Sequence, residues 1–187
     1  MNIKRWILLF DIVISSLFFV LWLSFIIPEL TNWVHSKMEK KNGSGWIVKE
    51  GDYVPTIKIE INDSTTITLD NHEGVILLHF LNDNESYTKD IEYIKEEIAE
   101  EYAYNEDFKV IGVACKMNKK ATNDLKDNLD LNYDVIADKT NRIYEKFSKD
   151  ETNISRCVLI GEDSKIIKLT KTHDELKELI KKIEDVL

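Results

Sequence analysis

Cysteine, proline and glycine are all scarce: the 187-residue chain has 2 Cys, 2 Pro and 6 Gly. Two cysteines are too few for a disulfide scaffold or a four-thiolate zinc site. So little proline and glycine excludes collagen-like and low-complexity chains. Basic residues are outnumbered, 25 Lys and Arg against 34 Asp and Glu, for a formal charge of −9. No basic surface therefore dominates to neutralise phosphates, and a nucleic-acid partner is not expected. A Gly-rich phosphate loop and a Gly-x-Ser-x-Gly elbow are also missing. What is present is 43% apolar and 32% charged residues, enough for one domain of ordinary size and a short attachment.

The attachment comes first. Trp6 to Ile27 is a run of 22 residues with a single charge, Asp11, and three serines. At about 1.5 Å per residue it spans roughly 33 Å as a helix, enough to cross a bilayer core. A cleavable signal peptide has a shorter apolar core and ends in a small-x-small site. This run ends in Phe25-Ile26-Ile27-Pro28, so an uncleaved anchor is the stronger reading. Trp6, Trp22 and Trp33 lie at or near its ends, where indole rings favour the interface. Lys4 and Arg5 precede the span, and Lys37, Lys40 and Lys41 follow it beside Glu29 and Glu39, so charge counting is close to a tie. A short tail before a single span usually stays in the cytoplasm, which places the remainder outside. The expected location is the cell membrane, single-pass, with an extracytoplasmic domain.

Residues 1–37 are thus read as anchor and flank, Met38 to Gly45 (MEKKNGSG) as a linker, and 46–187 as the domain. Removing Lys4, Arg5 and Lys37 from the basic total and Asp11 and Glu29 from the acidic one leaves 22 against 32 for residues 38–187. That −10 portion gains nothing electrostatically from an anionic membrane surface.

Within the domain, Thr56–Ile61 and Thr65–Leu69 alternate around Asn62-Asp63-Ser64, the pattern of a β-hairpin. Val75–Phe80 (VILLHF) and Phe108–Ala114 (FKVIGVA) are continuous apolar runs, expected as strands buried on both faces. Between them Ile91, Ile94, Ile98 and Tyr102 recur at helical spacing, with Ser86 or Thr88 as the cap. Leu125 and Leu129 mark one short helix, and Ile143, Tyr144 and Phe147 another. Cys157–Ile160 and Lys165–Leu169 form a second hairpin. A final helix begins at a Thr172-to-Glu175 capping box, with Leu176, Leu179, Ile180, Ile183 and Leu187 on one face. The order predicts an α/β sandwich with a mixed central sheet and an N-terminal hairpin.

Four segments within this order carry a family resemblance. Val48–Pro55 (VKEGDYVP), Thr65–Leu69 with Glu73–Phe80 (EGVILLHF), Lys109–Ala114 (KVIGVA) and Val158–Ile167 (VLIGEDSKII) resemble passages of membrane-anchored, thioredoxin-like redoxins. That group holds the TlpA-type thiol–disulfide proteins and the peroxiredoxins. The anchor and glycine-bearing linker are similar to its MauD-type branch. The resemblance implies a thioredoxin-like fold for residues 46–187, and a redox site in the loop after the Phe80 strand. Active members carry Cys-x-x-Cys, or one peroxidatic Cys, in that loop at a helix N-terminus, where amides and macrodipole stabilise a thiolate.

This chain departs from the pattern at that loop, which reads Leu81-Asn82-Asp83-Asn84-Glu85-Ser86-Tyr87-Thr88. Glu85 and Thr88 occupy the two thiol positions, and Tyr87 or Thr88 the peroxidatic one. None supports thiol chemistry. The family's cis-proline falls near Ser155, and it too is missing. Cys157 and Cys115 are the remaining catalytic candidates. Placed on strands flanking the Phe80 strand, they are expected about 10 Å apart, beyond the ~7 Å limit for a disulfide. Small buried hydrophobes are the first reading of both, ahead of a reactive Cys157 and of an intermolecular or strained disulfide.

The other singled-out groups read blandly. His79 is expected to be a packed or hydrogen-bonded core histidine. His35, His72 and His173 lack metal-ligand spacing, Asp83 and Glu85 read as helix-start acids, and neither a metal nor a cofactor is expected. Glu96-Glu97 to Glu100-Glu101 reads as a solvated face. Two functions remain. One is a non-catalytic protein- or peptide-binding accessory module in extracytoplasmic thiol-redox or protein maturation. The other is a thiol–disulfide oxidoreductase or peroxidase using Cys157 or Cys115.

Overall fold

A computed structural model describes residues 45–62, 64–82, 88–149 and 156–187. The anchor and nearly all of the linker, as well as Glu85, Ser86, Tyr87 and Ser155, lie outside the described residues. Among the described residues no helix is long and apolar enough to cross a membrane.

Gly45–Leu187 is one compact unit built on a five-stranded sheet and a separate hairpin. In chain order the elements are β1 (Lys58–Asn62), β2 (Thr65–Thr68), β3 (Val75–Leu81) and the helix α1 (Thr88–Tyr93), which widens into a π-helical stretch over Ile94–Glu100. Then come β4 (Phe108–Cys115), α2 (Lys119–Asn128), β5 (Asp134–Asp138), a 3₁₀ turn (Tyr144–Lys146), β6 (Arg156–Ile160), β7 (Ile166–Thr170) and α3 (His173–Glu184). The sheet order is β5-β4-β3-β6-β7, with β3, β4 and β5 parallel and β6 and β7 antiparallel to their neighbours. β1 and β2 pair only with each other.

All seven residues of β3 are buried, as its unbroken apolar run requires of a strand covered on both faces. Their side chains alternate between two cores. Ile76, Leu78 and Phe80 join Ile59 and Leu69 of the hairpin region with Tyr144 and Phe147. Val75, Leu77 and Leu81 join Ile91, Ile94 and Ile98 of the α1 segment with Leu176, Leu179 and Ile183 of α3. Helices thus cover one face, and the hairpin with the 144–147 segment covers the other.

The predicted sandwich and mixed sheet are present, with four local corrections. Asp134–Asp138 is a strand, which the sequence reading passed over; its pairing with β4 supplies the hydrogen bonds that local propensity did not announce. The helix expected around Ile143, Tyr144 and Phe147 is a single 3₁₀ turn, and Asp138 Oδ2 accepts from the amides of Ile143 (2.8 Å) and Tyr144 (3.1 Å) at its start. The capping box does not form: Thr172 makes no side-chain cap, and Glu175 accepts from the Lys171 amide at 2.6 Å rather than from that of Thr172. Leu187 is exposed, since it follows the end of α3 and lies beyond the apolar face.

Candidate functional site

The site implied by the resemblance is the edge of the sheet where β3 and β4 end and β6 begins. Thr88 is the first residue of α1, the helix that follows β3. With Glu85, Ser86, Tyr87 and Ser155 outside the described residues, Thr88 and the two cysteines are the site candidates whose surroundings the structure supplies.

Cys115 ends β4 and is 3% exposed, within the core on the hairpin face. Its thiol donates to the Val113 carbonyl at 3.5 Å. Burial pushes this thiol well above its usual range, and the carboxylate of Asp138, its register partner on β5, pushes it further. The Leu81 amide and the Lys116 ammonium act in the opposite direction and do not offset burial.

Cys157 lies on β6 and is 1% exposed, in the core on the helical face. Burial pushes its thiol up to about 12, with the Thr170 side chain pulling back and the Asp90 charge adding to the rise. Its own amide donates to Thr170 Oγ1 at 3.0 Å. A thiol pushed this far up by burial stays protonated near pH 7, whereas reactive cysteines are largely ionised there.

The two thiols do not meet. Cys157 stands opposite His79, and His79 opposite Gly112, so Cys115 is two strands across and three residues along. At about 4.8 Å per strand and 3.3 Å per residue, the separation is roughly 14 Å, against a ~7 Å limit for a disulfide. They also face opposite sides of the sheet, and both are free thiols.

Next to Cys157 the structure places a polar pair that sequence reasoning found only in part. His79 is buried, as expected, and its Nδ1 shares a 3.0 Å hydrogen bond with the Tyr133 hydroxyl. Tyr133 was not singled out, because a lone tyrosine before β5 carries no local signal. Burial lowers His79 to about 3 and raises Tyr133 well above its usual range, so both are neutral near pH 7. A neutral histidine hydrogen-bonded to a neutral phenol is a satisfied core pair. Nearby, at the helix ends, His173 Nδ1 lies 2.8 Å from Asp90 Oδ1 and joins α3 to α1. On the opposite face the guanidinium of buried Arg156 stacks 5.1 Å from the Trp46 ring and donates to Ser148 Oγ at 3.2 Å. Among the described residues no group of three His, Cys, Asp or Glu side chains is arranged to hold a metal ion.

No protein-family model matches the chain, and no curated protein is similar enough in sequence to count as a relative. Solved structures do match. A proposed protein disulfide isomerase from Bacteroides thetaiotaomicron superposes with a TM-score of 0.70 at 26% identity, over 76% of this chain and 92% of its own. A thioredoxin domain of a thiol–disulfide oxidoreductase from Bacteroides vulgatus gives 0.57 at 13% identity, over 73% and 98%. A peroxidoxin from Mycobacterium tuberculosis gives 0.58 at 14%, over 75% and 99%. The fold is therefore thioredoxin-like, of the kind shared by thiol–disulfide oxidoreductases and peroxiredoxin-like proteins. The 2 cysteines of this chain are Cys115 and Cys157, and neither belongs to the loop after β3.

Proposed function

We propose that this chain is a membrane-tethered, thioredoxin-like accessory module that binds a protein or peptide partner without thiol chemistry, in extracytoplasmic thiol-redox or protein maturation. One observation carries the reading: the chain's two thiols are buried in separate cores on opposite faces of the sheet. A dithiol cycle needs two sulfurs within bonding reach, and a peroxidatic cycle needs an accessible thiolate. Neither requirement is met by Cys115 or Cys157, so an oxidoreductase or peroxidase built on them lacks its reactive group. The thioredoxin-like scaffold supports a binding role through its shape alone, and a fold is weak warrant for an activity. The tether and the outward orientation rest on the apolar run at 6–27 and the short tail before it.

The test compares the wild-type chain with a Cys115→Ser/Cys157→Ser variant expressed in its native cells and photo-crosslinked there. The same partners at the same yield support a thiol-independent module. Loss of those partners, or peroxide or disulfide turnover that disappears with the cysteines, overturns it. A C-terminal alkaline phosphatase fusion is expected to be active, as an extracytoplasmic domain requires; an inactive fusion reverses the orientation.

A further inference from the structure

The segments that leave β4 and β5 differ in charge from the rest of the chain. Lys116, Lys119 and Lys120 follow β4, and Lys139, Arg142, Lys146 and Lys149 follow β5. Over residues 116–120 and 138–149 these 7 cations meet 2 acids, Asp138 and Glu145, so the two segments hold +5. Subtracting +5 from −9 leaves −14 for the remainder. All the cations are exposed, whereas Asp138 is buried with its carboxylate bonded to the amides of Ile143 and Tyr144. The segments are neighbours because β4 and β5 pair: Cys115 is the register partner of Asp138, and the Lys116 amide donates to the Asp138 carbonyl at 2.9 Å. Among the described residues Lys119, Lys120 and the cations after β5 make no ion pair.

Local rules are broken where those cations stand. Lys116 has φ 61°, in the left-handed region where a side chain is strained. Lys119 and Lys120 are the first two residues of α2, whose first turn holds no acid. Cations there are repelled by the positive end of the helix macrodipole, and acids are the favoured residues. A segment that gives up stability at Lys116, Lys119 and Lys120 and stays cationic has a use for the charge that the fold does not supply. A carboxylate arriving from outside is attracted by the lysines and by the helix end together.

We propose that this surface docks an acidic, carboxylate-rich segment of a protein partner. The inference rests on the binding-module reading above and gives the partner its chemistry. Charges act over about 8–10 Å at physiological salt. A peptide segment laid on the two loops therefore meets the cations and little of the −14 remainder, whereas a flat anionic bilayer meets a whole face of the domain. The loops lie outside the carboxyl ends of the parallel strands β4 and β5, where α/β sheets present their ligand sites. Complementary charge of this kind speeds association and selects against basic partners.

The test uses the full chain in a non-ionic detergent and a fluorescein-labelled, alternating Ser–Glu peptide, with fluorescence anisotropy at low salt as the readout. Saturable binding is expected, and none by the Ser–Lys counterpart. Lys119→Glu/Lys120→Glu and Arg142→Glu/Lys146→Glu are each expected to weaken it at least tenfold. Lys177→Glu/Lys181→Glu, the same charge change at exposed positions of α3, is expected to change it less than twofold. Lys119→Glu/Lys120→Glu is also expected to keep or raise the Tm, since acids suit a helix start, and this separates recognition from folding. A lower Tm in that variant, no saturable binding, equal binding of the Ser–Lys peptide, or an equal loss from the α3 pair overturns the proposal. So does tighter binding of phosphatidylglycerol micelles than of the peptide, because the occupant would then be a lipid surface. A free chain that is dimeric and becomes monomeric in Arg142→Glu/Lys146→Glu likewise overturns it, a second copy being the occupant. If the peptide fails to bind while the cysteine-free variant keeps its crosslinked partners, this surface falls and the module reading stands. If those partners are lost with the cysteines, the module reading falls whatever the peptide does.

Discussion

Cys115 and Cys157 point to opposite faces of one sheet, from strands separated by β3. Their placement decides how each thiol meets a reagent. Neither is expected to react with a maleimide in the native protein between pH 5 and 9, and both are expected to react once it is denatured. A thiol that labels rapidly below pH 7 in the native state would show a stabilised thiolate and return the enzyme reading. Cys115→Ser/Cys157→Ser is expected to fold with a loss of about 1–3 kcal/mol, measured by urea unfolding.

His79 makes stability depend on pH. Burial lowers it to about 3 in the folded chain, against an ordinary value of 6.5. Above pH 6.5 the histidine is neutral in both states and adds no dependence. Between 6.5 and about 3 the unfolded chain binds a proton that the folded chain does not, so stability falls as pH falls. The slope from this group approaches about 1.4 kcal/mol per pH unit. His79→Gln, which cannot take up that proton, is expected to show a shallower loss of Tm from pH 7 to pH 4.5 than the wild type. Identical slopes would mean that His79 is not held neutral.

Phe80, Tyr144 and Phe147 form an aromatic cluster beneath the hairpin face. The Phe80 ring meets Tyr144 edge-on at 5.1 Å and Phe147 at 5.6 Å, and all three residues are fully buried. Phe147→Ala empties a site enclosed on all sides. It is expected to cost about 3–5 kcal/mol, read from denaturant midpoints. A loss under 1 kcal/mol would show that the 144–147 segment does not close this core.

Asp138 holds that segment in place. It is 4% exposed, and its carboxylate accepts from the amides of Ile143 and Tyr144. Asp138→Ala strands those donors and is expected to cost about 1–3 kcal/mol, while Asp138→Asn retains an acceptor and costs less. Equal losses for Ala and Asn would discount the hydrogen bonds.

Gly74 allows the entry into β3. It has φ +72°, and an added Cβ would clash with the backbone of Asp107. The Val75 amide donates to the Asp107 carbonyl at 2.7 Å, which fixes how closely the two chains approach. Gly74→Ala is expected to be destabilising by about 1–3 kcal/mol, and a neutral result in thermal unfolding would show that the turn relaxes.

The order of strands and helices was legible wherever burial is uniform along an element. VILLHF and FKVIGVA read as doubly covered strands because a strand covered on both faces has no polar side to show. The Leu176–Ile183 face of α3 read as helix because one apolar stripe recurs at the helical period. Local signals failed where a long-range partner chose the conformation. Asp134–Asp138 is short and bounded by acids, and it becomes a strand only because β4 offers it an edge. Ile143, Tyr144 and Phe147 do have helical spacing, yet they form one 3₁₀ turn, its opening amides bonded to the carboxylate of Asp138.

The candidate site divides in the same way. That the loop after β3 carries no cysteine is a property of the sequence alone, and so is the scarcity of thiols anywhere else. Covalent chemistry depends on residue type, and residue type needs no coordinates. Whether Cys115 and Cys157 could replace the missing pair was a matter of strand order, register and the parity of two side chains. Those are relations between segments 42 residues apart in sequence, 157 minus 115, and hydrogen bonding across β3 sets them. The pairing of His79 with Tyr133 belongs to the same class. Residue chemistry is written in the chain, whereas proximity exists only once the sheet has brought distant strands together.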